Sequence, residues 1–588
     1  MGNYDKFPRV ELPDLADQAW AGWPAVGSEI ARRAQKLLVG GQTSAAGRVV
    51  VCVDTYPGVR DAELLVALAQ ALQPRLLIDA ARASKSPAEV SAMVDRELTT
   101  DRVFGLLSRR TVGEFLDPEA SAAASHRLAT AQGVVLVYGT GASLLCTPDV
   151  LVLADLARWE IQQRYRRKET PNWLAANTGE DVLRMYKRGF YLDWRVYDRH
   201  KKSLFPRLDY VLDTNRPGDP ALLTGSAFRE ALARTAQRPF RVVPFFDPGV
   251  WGGQWMKSVC GLDPSLPNYA WCFDCVPEEN SLVLGLGPVT VELPSIDLVF
   301  ARPEDLLGPR VHARFGTEFP IRFDLLDTMG GGNLSLQVHP LTEYIQDHFN
   351  MPYTEDESYY LLDAGDDGSV FLGLKEGVNP AAMMADLRAA QAGGAPFPDE
   401  EHVNRFPARK HDHFLIPAGT VHCSGQGSLV LEISSTPFMF TFKMWDWGRL
   451  GMDGKPRPVH LDHAEANIQW DRTTDWVKRE LVNRIEVVAQ GDGWTEERTG
   501  LHERQFLETR RHWFTAPVDH HTGGGVNVLN LVEGEAAVVE SPTGAFAPFE
   551  VHYAETFLVP AAVGAYRIRP LGEAKNGRWG TVKAFVRA

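Results

Sequence analysis

Three short segments, far apart in the chain, carry side chains that suit a divalent metal ion. In NLSLQVHP, alternation along an extended strand places Gln337 and His339 on the same face. In DESYYLLD, Glu357 precedes an aromatic stretch, and in IPAGTVHCSG, His422 follows a Pro-Ala-Gly turn. Two imidazoles, a carboxylate and an amide oxygen form a mixed nitrogen and oxygen set that suits a metal used as a Lewis acid.

Each of these histidines, taken alone, is explained as well by a core or surface position. The chain has 16 histidines among 588 residues, so some matches arise by chance. The combination of the three segments in this order favours a metal site.

Four basic residues follow the third segment. The stretch FKMWDWGRLGMDGKPRP supplies Lys443, Arg449, Lys455 and Arg457. These cations are candidates for contacts with a phosphate group or with a developing oxyanion. The alternative for Lys455 and Arg457 is a solvated loop.

The elements around these residues indicate an all-β region. From residue 242 onward, short strands are separated by Gly, Pro and Asp turns, which is typical of a sandwich or barrel. A helical stretch interrupts it at 379–391, and a linker near 471–485 leads to a final all-β stretch. We therefore predict a metal-binding β domain over 240–485 and a second, metal-free β domain over 486–588.

The N-terminal part has a different pattern. Residues 1–45 indicate a polar lead with one helix over 28–38. Continuous apolar runs then alternate with helical stretches, which predicts a mostly parallel α/β sheet over 46–236. The predicted strands are 48–53, 134–138, 150–153 and 210–213, with helices at 61–72 and 157–169.

The first strand of this region ends in DTYPGVR, without the G-x-x-x-x-G-K-[ST] pattern of a P-loop. Basic residues cluster later in the region, and they predict either an anion site or a solvated helix face. They are Arg158, Arg164, Arg166, Arg167, Lys168, Arg199, Lys201 and Lys202.

Composition narrows the possible partners and compartment. The net charge of −14 argues against general nucleic-acid binding, which needs a basic face. Six scattered cysteines do not form a disulfide framework. We find neither a signal peptide nor an apolar run of about 20 residues, so we expect no membrane partner and a cytoplasmic location.

Region 240–485 resembles type I phosphomannose isomerase. The motifs in order are FFDPGVWGG, QVHP, a Glu before an aromatic strand, IPAGTVH, and WDWGR followed by GKPRP. The resemblance implies a cupin barrel and one zinc ion per chain, held by Gln337, His339, Glu357 and His422. It also implies isomerisation of a sugar phosphate, mannose 6-phosphate to fructose 6-phosphate, through a cis-enediol. Region 486–588 is then a second, metal-free cupin, and the oligomeric state stays open.

Two departures from the family bear on activity. Lys443 stands where the family has an arginine thought to be catalytic, and we expect Lys443 and Arg449 to take the catalytic roles, with Lys455 and Arg457 binding substrate. The family's lysine near the metal-binding glutamate is absent, since Glu355 and Asp356 precede Glu357. The alternative function is therefore a non-catalytic sugar-phosphate sensor that retains the metal pocket.

Region 46–236 is similar to uridine-kinase-like proteins. The resemblance rests on VLVYGTGASLL, ADLARWEIQQRYRRKE and LDYVLDTN. It implies a degenerate kinase-like domain that transfers no phosphoryl group, because the P-loop is missing.

Overall fold

A computed structural model describes residues 3–43, 47–500 and 502–587. These residues divide into two compact units. The α/β unit is Arg9–Thr235 with Ser281–Ala301; the β unit is the segment ending at Pro8, Ala236–Asn280 and the chain from Arg302 onward. The prediction of a multidomain chain with several sheets is confirmed. The boundaries at 45, 236 and 485 stay predictions.

The α/β unit is built on one large sheet whose central strands are parallel, as the continuous apolar runs predict. Antiparallel strands extend one edge, and the outermost comes from the segment predicted as a lead. In spatial order the strands are Leu76–Asp79, Gly133–Gly139, Arg48–Thr55, Val150–Asp155, Tyr210–Asp213, Ala221–Thr224 and Ala19–Ala21. A smaller sheet joins Arg9–Glu11, Ser281–Leu286 and Val289–Pro294.

Helices connect these strands. The predicted helix over 61–72 is present as Asp61–Leu72. The helix predicted over 157–169 is shorter, because it ends at Arg166 and Lys168 adopts a left-handed conformation with φ of 58°. The α-helices are Trp23–Val39, Asp61–Leu72, Pro87–Leu98, Pro118–Thr130, Arg158–Arg166, Val182–Arg188, Trp194–Leu204, Gly225–Thr235 and Ile296–Ala301.

Two basic residues of the α/β unit are buried rather than solvated. Arg158 donates to Asp198 at 2.6 Å, and both side chains are buried. The fully buried Arg164 donates to the backbone oxygen of Gly58 at 2.8 Å and to Glu160 at 2.9 Å. The solvated face is wrong for these arginines, because both side chains are buried, and the anion site stays a prediction.

Lys201 is also buried, and it faces carboxylates instead of an external anion or solvent. Its Nζ lies 2.8 Å from Asp155 and 2.6 Å from Asp297, and all three side chains are buried. A buried ammonium group of this kind is stable only when carboxylates accompany it.

The first half of the β unit consists of two sheets. One has the strand order His413–Ile416, Glu357–Ala364, Ser428–Ser434, Arg322–Asp327, Trp271–Cys275 and Phe245–Asp247. The other has the order Val403–Pro407, Ser369–Leu374, His422–Ser424, Leu336–Val338 and Phe442–Trp445. Antiparallel pairing of these short strands agrees with the turn spacing in the sequence.

Two further sheets form the last part of the β unit. Their strand orders are Glu486–Gly491, Trp494–Gly500, Leu507–Phe514, Trp579–Val586, Asn527–Glu533 and Thr556–Val559, and Val518–His521, Ala565–Leu571, Ala536–Glu540 and Phe549–His552. A buried cluster that includes Phe514, Leu529, Val539 and Phe557 draws residues from both sheets. These sheets therefore enclose an apolar core of their own.

Helices of the β unit occupy the connections between strands. The predicted helical stretch at 379–391 is present as Pro380–Gln391, with the Asn379 side chain capping its first turn. The α-helices are Trp255–Val259, Pro303–Leu307, Pro309–Phe315, Thr342–Phe349, Pro380–Gln391, Asp399–His402, Leu461–Glu465 and Thr474–Glu480. Within the described residues, no helix combines the length and apolar character needed to cross a membrane.

Candidate metal centre

Three of the predicted metal ligands form one buried cluster. Glu357 Oε1 lies 3.3 Å from Nε2 of His339 and 2.5 Å from Nε2 of His422. Each of the three residues is at most 1% exposed. Each offers a ligand atom within 4.8 Å of the others, which is compatible with one shared cation.

Gln337 joins this cluster from a neighbouring strand. It pairs directly with His422 in the antiparallel register, and its Nε2 lies 3.3 Å from the imidazole Nε2. A half-turn of this amide exchanges Nε2 and Oε1 and brings the oxygen towards the imidazole. All four side chains predicted to bind the metal therefore lie together.

The cluster forms where the two sheets of the first half meet. Glu357 belongs to one sheet and Gln337 and His422 belong to the other. The turn before His422 depends on Gly419, which has a φ of 86° and lies so close to Asn467 O that a Cβ would approach it to 2.9 Å. A side chain at this position would displace the turn that delivers His422.

The cluster fits a divalent metal on two observations. Among the described residues, the buried atoms His339 Nε2 and Glu357 Oε1 make no hydrogen bond, although buried polar atoms are normally paired. The opposite ring nitrogens are occupied: His422 Nδ1 lies 2.8 Å from Thr420 O, and His339 Nδ1 lies 3.1 Å from Glu355 Oε2. Both Nε2 atoms are thus directed at Glu357 as ligand atoms would be.

The electrostatics favour an ionised carboxylate at the centre. Burial raises the pKa of Glu357, but His422 and His339 beside it lower that pKa by more, so the net value lies well below its usual range. Glu357 is therefore an anion at neutral pH, which is the state that binds a cation.

Lys443 lies in the same row of side chains. It is opposite Gln337 on the next strand, as His422 is on the other side, so the three side chains share a sheet face. Burial, and then the positive charge of Arg457, lowers the pKa of Lys443 to about 8. The amine is therefore partly neutral slightly above physiological pH, which suits a group that accepts and returns a proton.

Two of the predicted arginines converge on one carboxylate. Arg449 and Arg457 both form ion pairs with Asp446, which is 5% exposed. Trp447, in a left-handed conformation with φ of 57°, donates its indole N–H to Leu334 O at 2.8 Å and so fixes the turn that leads to Arg449.

Lys455 is placed differently from the other basic residues. It lies on the exposed part of the same loop, where its backbone N–H donates to the Asp453 carboxylate at 3.1 Å.

Three residues with contacts to this site were not assigned roles from the sequence. Asp446 carries both arginines, Glu355 contacts His339, and Arg322 donates to Glu355 at 2.8 Å. A signal for Arg322 existed: RFDLLD contains three charged residues, although apolar residues separate them as in a buried strand, and all six residues are buried. Asp446 was visible in the motif WDWGR, but the sequence did not indicate that it pairs with Arg449 and Arg457.

Together these features define a class of protein: paired β sheets with a buried His, Glu and Gln cluster suited to one metal, joined to a parallel α/β unit. Comparison with known proteins agrees with the resemblance found in the sequence. The chain is 25% identical over 228 residues to the Bacillus subtilis protein described as "Probable mannose-6-phosphate isomerase GmuF", covering 38% of this chain and 67% of the relative. It is 31% identical over 146 residues to "Mannose-6-phosphate isomerase ManA" of Bacillus subtilis, covering 25% of this chain and 43% of the relative.

These matches support a relationship of part of the chain to the mannose-6-phosphate isomerase family, although the second spans under half of its relative. The crystal structure of the mannose 6-phosphate isomerase from Bacillus subtilis aligns with 59% of this chain and 99% of its own, at a TM-score of 0.48 and 17% identity. Residues 22–237 match a family model described as "Domain of unknown function (DUF8485)". That description names no activity, so the kinase likeness of the N-terminal region stays a prediction.

Proposed function

We propose that the β unit is a metal-dependent aldose–ketose isomerase of a hexose phosphate, with mannose 6-phosphate and fructose 6-phosphate as the substrate pair. The observation that carries this proposal is the row of His422, Gln337 and Lys443, which sets a lysine of lowered pKa beside a set of metal-type donors. The sequence similarity to mannose-6-phosphate isomerases supports the same assignment.

The metal in this proposal is one zinc ion held by Gln337, His339, Glu357 and His422. When bound, it supplies Lewis-acid polarisation of a substrate oxygen. The burial of the donors excludes bulk water from the reacting atoms, so charges in the site act with little screening.

Lys443 is the proposed acid–base group. Its neutral form removes the proton from the hydroxyl-bearing carbon next to the carbonyl carbon, which gives a cis-enediol once the carbonyl oxygen is protonated. Its ammonium form then returns a proton to the former carbonyl carbon, while the other oxygen gives up its proton and becomes the new carbonyl. The half-buried position of Lys443 gives it access to substrate, and its low pKa makes both protonation states available near neutral pH.

Arg449 and Arg457 are the proposed phosphate contacts. Asp446 holds both guanidinium groups close together, and each retains further N–H donors for a bidentate contact with phosphate oxygens. Arg449 also stabilises the negative charge that develops on the enediol oxygen. Lys455, on the exposed part of the loop, would strengthen the attraction of the phosphate as it arrives.

The test is an assay of zinc-loaded protein with mannose 6-phosphate, in which fructose 6-phosphate is followed. We expect turnover by the natural chain and loss of both zinc and turnover in His422→Ala. The matched control is His402→Ala, because His402 is buried in the same unit but its Nε2 pairs with Asp386 at 2.7 Å instead of with Glu357. Saturable binding of the sugar phosphate without turnover would instead favour the sensor function.

For the α/β unit we propose a kinase-like domain that transfers no phosphoryl group. The Asp54 carboxylate, at the end of the strand Arg48–Thr55, accepts the backbone N–H groups of Gly141 and Ser143 at 2.9 Å each. Backbone amides of such a glycine-containing loop are donors that a nucleotide phosphate would need. An assay of phosphate release with ATP and magnesium tests this proposal: we expect no hydrolysis, and measurable ATP hydrolysis would contradict it.

A further inference from the structure

A carboxylate that the proposed metal set does not include touches one of its imidazoles. Glu355 precedes Glu357 by two residues, and an oxygen of each carboxylate lies within 4.8 Å of the other. Glu355 Oε2 lies 3.1 Å from His339 Nδ1, and Glu355 is 1% exposed. This is the segment in which the resembling family carries a lysine near its metal-binding glutamate.

We infer that Glu355, held in place by Arg322, is a positioning residue that orients His339 for metal binding. The inference rests on the metal site of the proposed function and concerns how this chain builds that site. Glu355 is not proposed as a ligand or as a group that contacts substrate.

The contacts of the two imidazoles explain how Glu355 would strengthen metal binding by His339. His339 Nδ1 faces two acceptors, Glu355 Oε2 at 3.1 Å and Phe440 O at 3.4 Å. These acceptors favour the tautomer with the proton on Nδ1 and the lone pair on Nε2, the atom that lies 3.3 Å from Glu357. His422 has the same arrangement, with Thr420 O in the place of the carboxylate. Ligating histidines usually donate the other ring nitrogen to a carboxylate or a carbonyl in this way, and the carboxylate makes the imidazole a stronger donor.

Arg322 stabilises the buried carboxylate of Glu355. Its Nη1 donates to Glu355 at 2.8 Å, its Nε lies 2.7 Å from Asp324, and its Nη2 contacts Glu432. An unpaired carboxylate at this depth would be strongly unfavourable, and the guanidinium removes that cost. The guanidinium thus fixes the carboxylate on the side facing His339.

The same guanidinium argues against a second cation. Glu355, Glu357 and Glu432 also have oxygens within 4.8 Å of one another, an arrangement that by itself could hold a metal. Arg322 already forms ion pairs with Glu355 and Glu432, and its positive charge would repel another cation there. Glu355 therefore acts on the metal through His339.

The experiment measures zinc affinity by competition with a chromophoric chelator, and the visible spectrum of the cobalt(II)-substituted full chain. We expect Glu355→Ala to weaken zinc binding by about 10- to 100-fold and to alter the cobalt bands, because His339 loses its orienting partner. Glu355→Gln is the conservative variant: its amide oxygen still accepts from Nδ1–H, so we expect it to recover most of the affinity and the spectrum.

Glu432→Gln is the matched control, because Glu432 contacts the same guanidinium but neither imidazole. We expect its zinc affinity to stay within about threefold of the natural chain, with unchanged cobalt bands. Natural affinity in Glu355→Ala, or an equal loss in Glu432→Gln, overturns the inference. If Glu355→Ala does not fold, Glu355→Met takes its place, because its side chain fills the same space but accepts no hydrogen bond from Nδ1–H. We expect the same loss of zinc affinity, and a loss no larger than that in Glu432→Gln overturns the inference.

The outcome is separable from that of the proposed function. Zinc affinity and cobalt spectra need no turnover, so a chain that binds zinc through His339 but does not isomerise mannose 6-phosphate would still support the role of Glu355. A chain that isomerises mannose 6-phosphate with unaltered zinc affinity in Glu355→Ala would support the function and overturn the inference.

Discussion

Gln337 and Lys443 lie directly opposite each other on neighbouring antiparallel strands, so a predicted metal ligand and a predicted catalytic lysine share one face of a sheet. Adjacent strands are about 4.8 Å apart, which brings the lysine within reach of a substrate bound over the metal donors. The lysine replaces an arginine of the resembling family without leaving the site.

Replacing Lys443 tests its acid–base role. We expect Lys443→Met to lower kcat by about 100-fold or more, the usual contribution of a positioned proton-transfer group, while zinc content stays unchanged. Lys443→Arg restores the residue type of the family, but a guanidinium stays protonated, so we expect it to remain impaired in this chain. Full activity in Lys443→Arg would show that only the positive charge is needed.

Asp446 provides a second test, because its carboxylate contacts both Arg449 and Arg457. In Asp446→Asn the arginines lose their common anchor, and we expect KM for the sugar phosphate to rise by about tenfold, equivalent to ~1.4 kcal/mol, with a smaller change in kcat. Steady-state kinetics on zinc-loaded protein measure this.

The control is Asp462→Asn, which removes a highly exposed carboxylate that pairs with Arg388. We expect its KM to equal that of the natural chain. An unchanged KM in Asp446→Asn would mean that Arg449 and Arg457 do not hold the phosphate.

The metal-type residues could be predicted from the sequence because their signals are local. Alternation places Gln337 and His339 on one face, and the turn before His422 needs a glycine that the sequence shows. The structure brings both segments to Glu357, as the ordered motifs predict.

The supporting contacts could not be predicted, because they join segments with no local signature. In the sequence, Glu355 stands out only because the family's lysine is absent from this segment. Its partner Arg322 lies on a strand and precedes it by 33 residues. The same limit applies to Lys201: its spacing near other basic residues suggested a basic surface, whereas Asp155 and Asp297 enclose it. Long-range pairing of charges depends on the topology of the sheet.

The ion pairs of Lys201 predict a large effect on the stability of the α/β unit. Lys201→Met leaves Asp155 and Asp297 buried without their cation, and removal of one partner from a buried pair costs about 3–5 kcal/mol. Urea unfolding monitored by tryptophan fluorescence measures the loss. In the triple variant that adds Asp155→Asn and Asp297→Asn, we expect part of the stability to return.

Lys202→Met is the matched control for that experiment. Lys202 is half-buried and its Nζ lies 5.0 Å from the ring centre of Phe300. Loss of a cation–π contact of this kind costs about 1 kcal/mol. Equal destabilisation by Lys201→Met and Lys202→Met would contradict the importance of the buried triad.

His413 predicts how the stability of the β unit depends on pH. Burial, and then the charge of Arg511, lowers the pKa of His413 to about 3 from a reference value of 6.5. The folded chain keeps this imidazole neutral, while the unfolded chain protonates it below about pH 6.5. Protonation stabilises the unfolded chain, so the histidine does not lower the free energy of unfolding above that pH. Between pH 6.5 and pH 3, protonation of His413 in the unfolded chain lowers the free energy of unfolding by about 1.4 kcal/mol per pH unit.

His413→Phe removes the titration while keeping a ring beside Tyr360, whose centroid lies 5.5 Å from the imidazole. Between pH 6 and pH 4 we expect the unfolding free energy of this variant to decline less steeply than that of the natural chain, by about 1.4 kcal/mol per pH unit. Above pH 7 the two curves should run parallel, which serves as the internal control. Parallel curves throughout the acid range would show that His413 does not resist protonation in the folded chain.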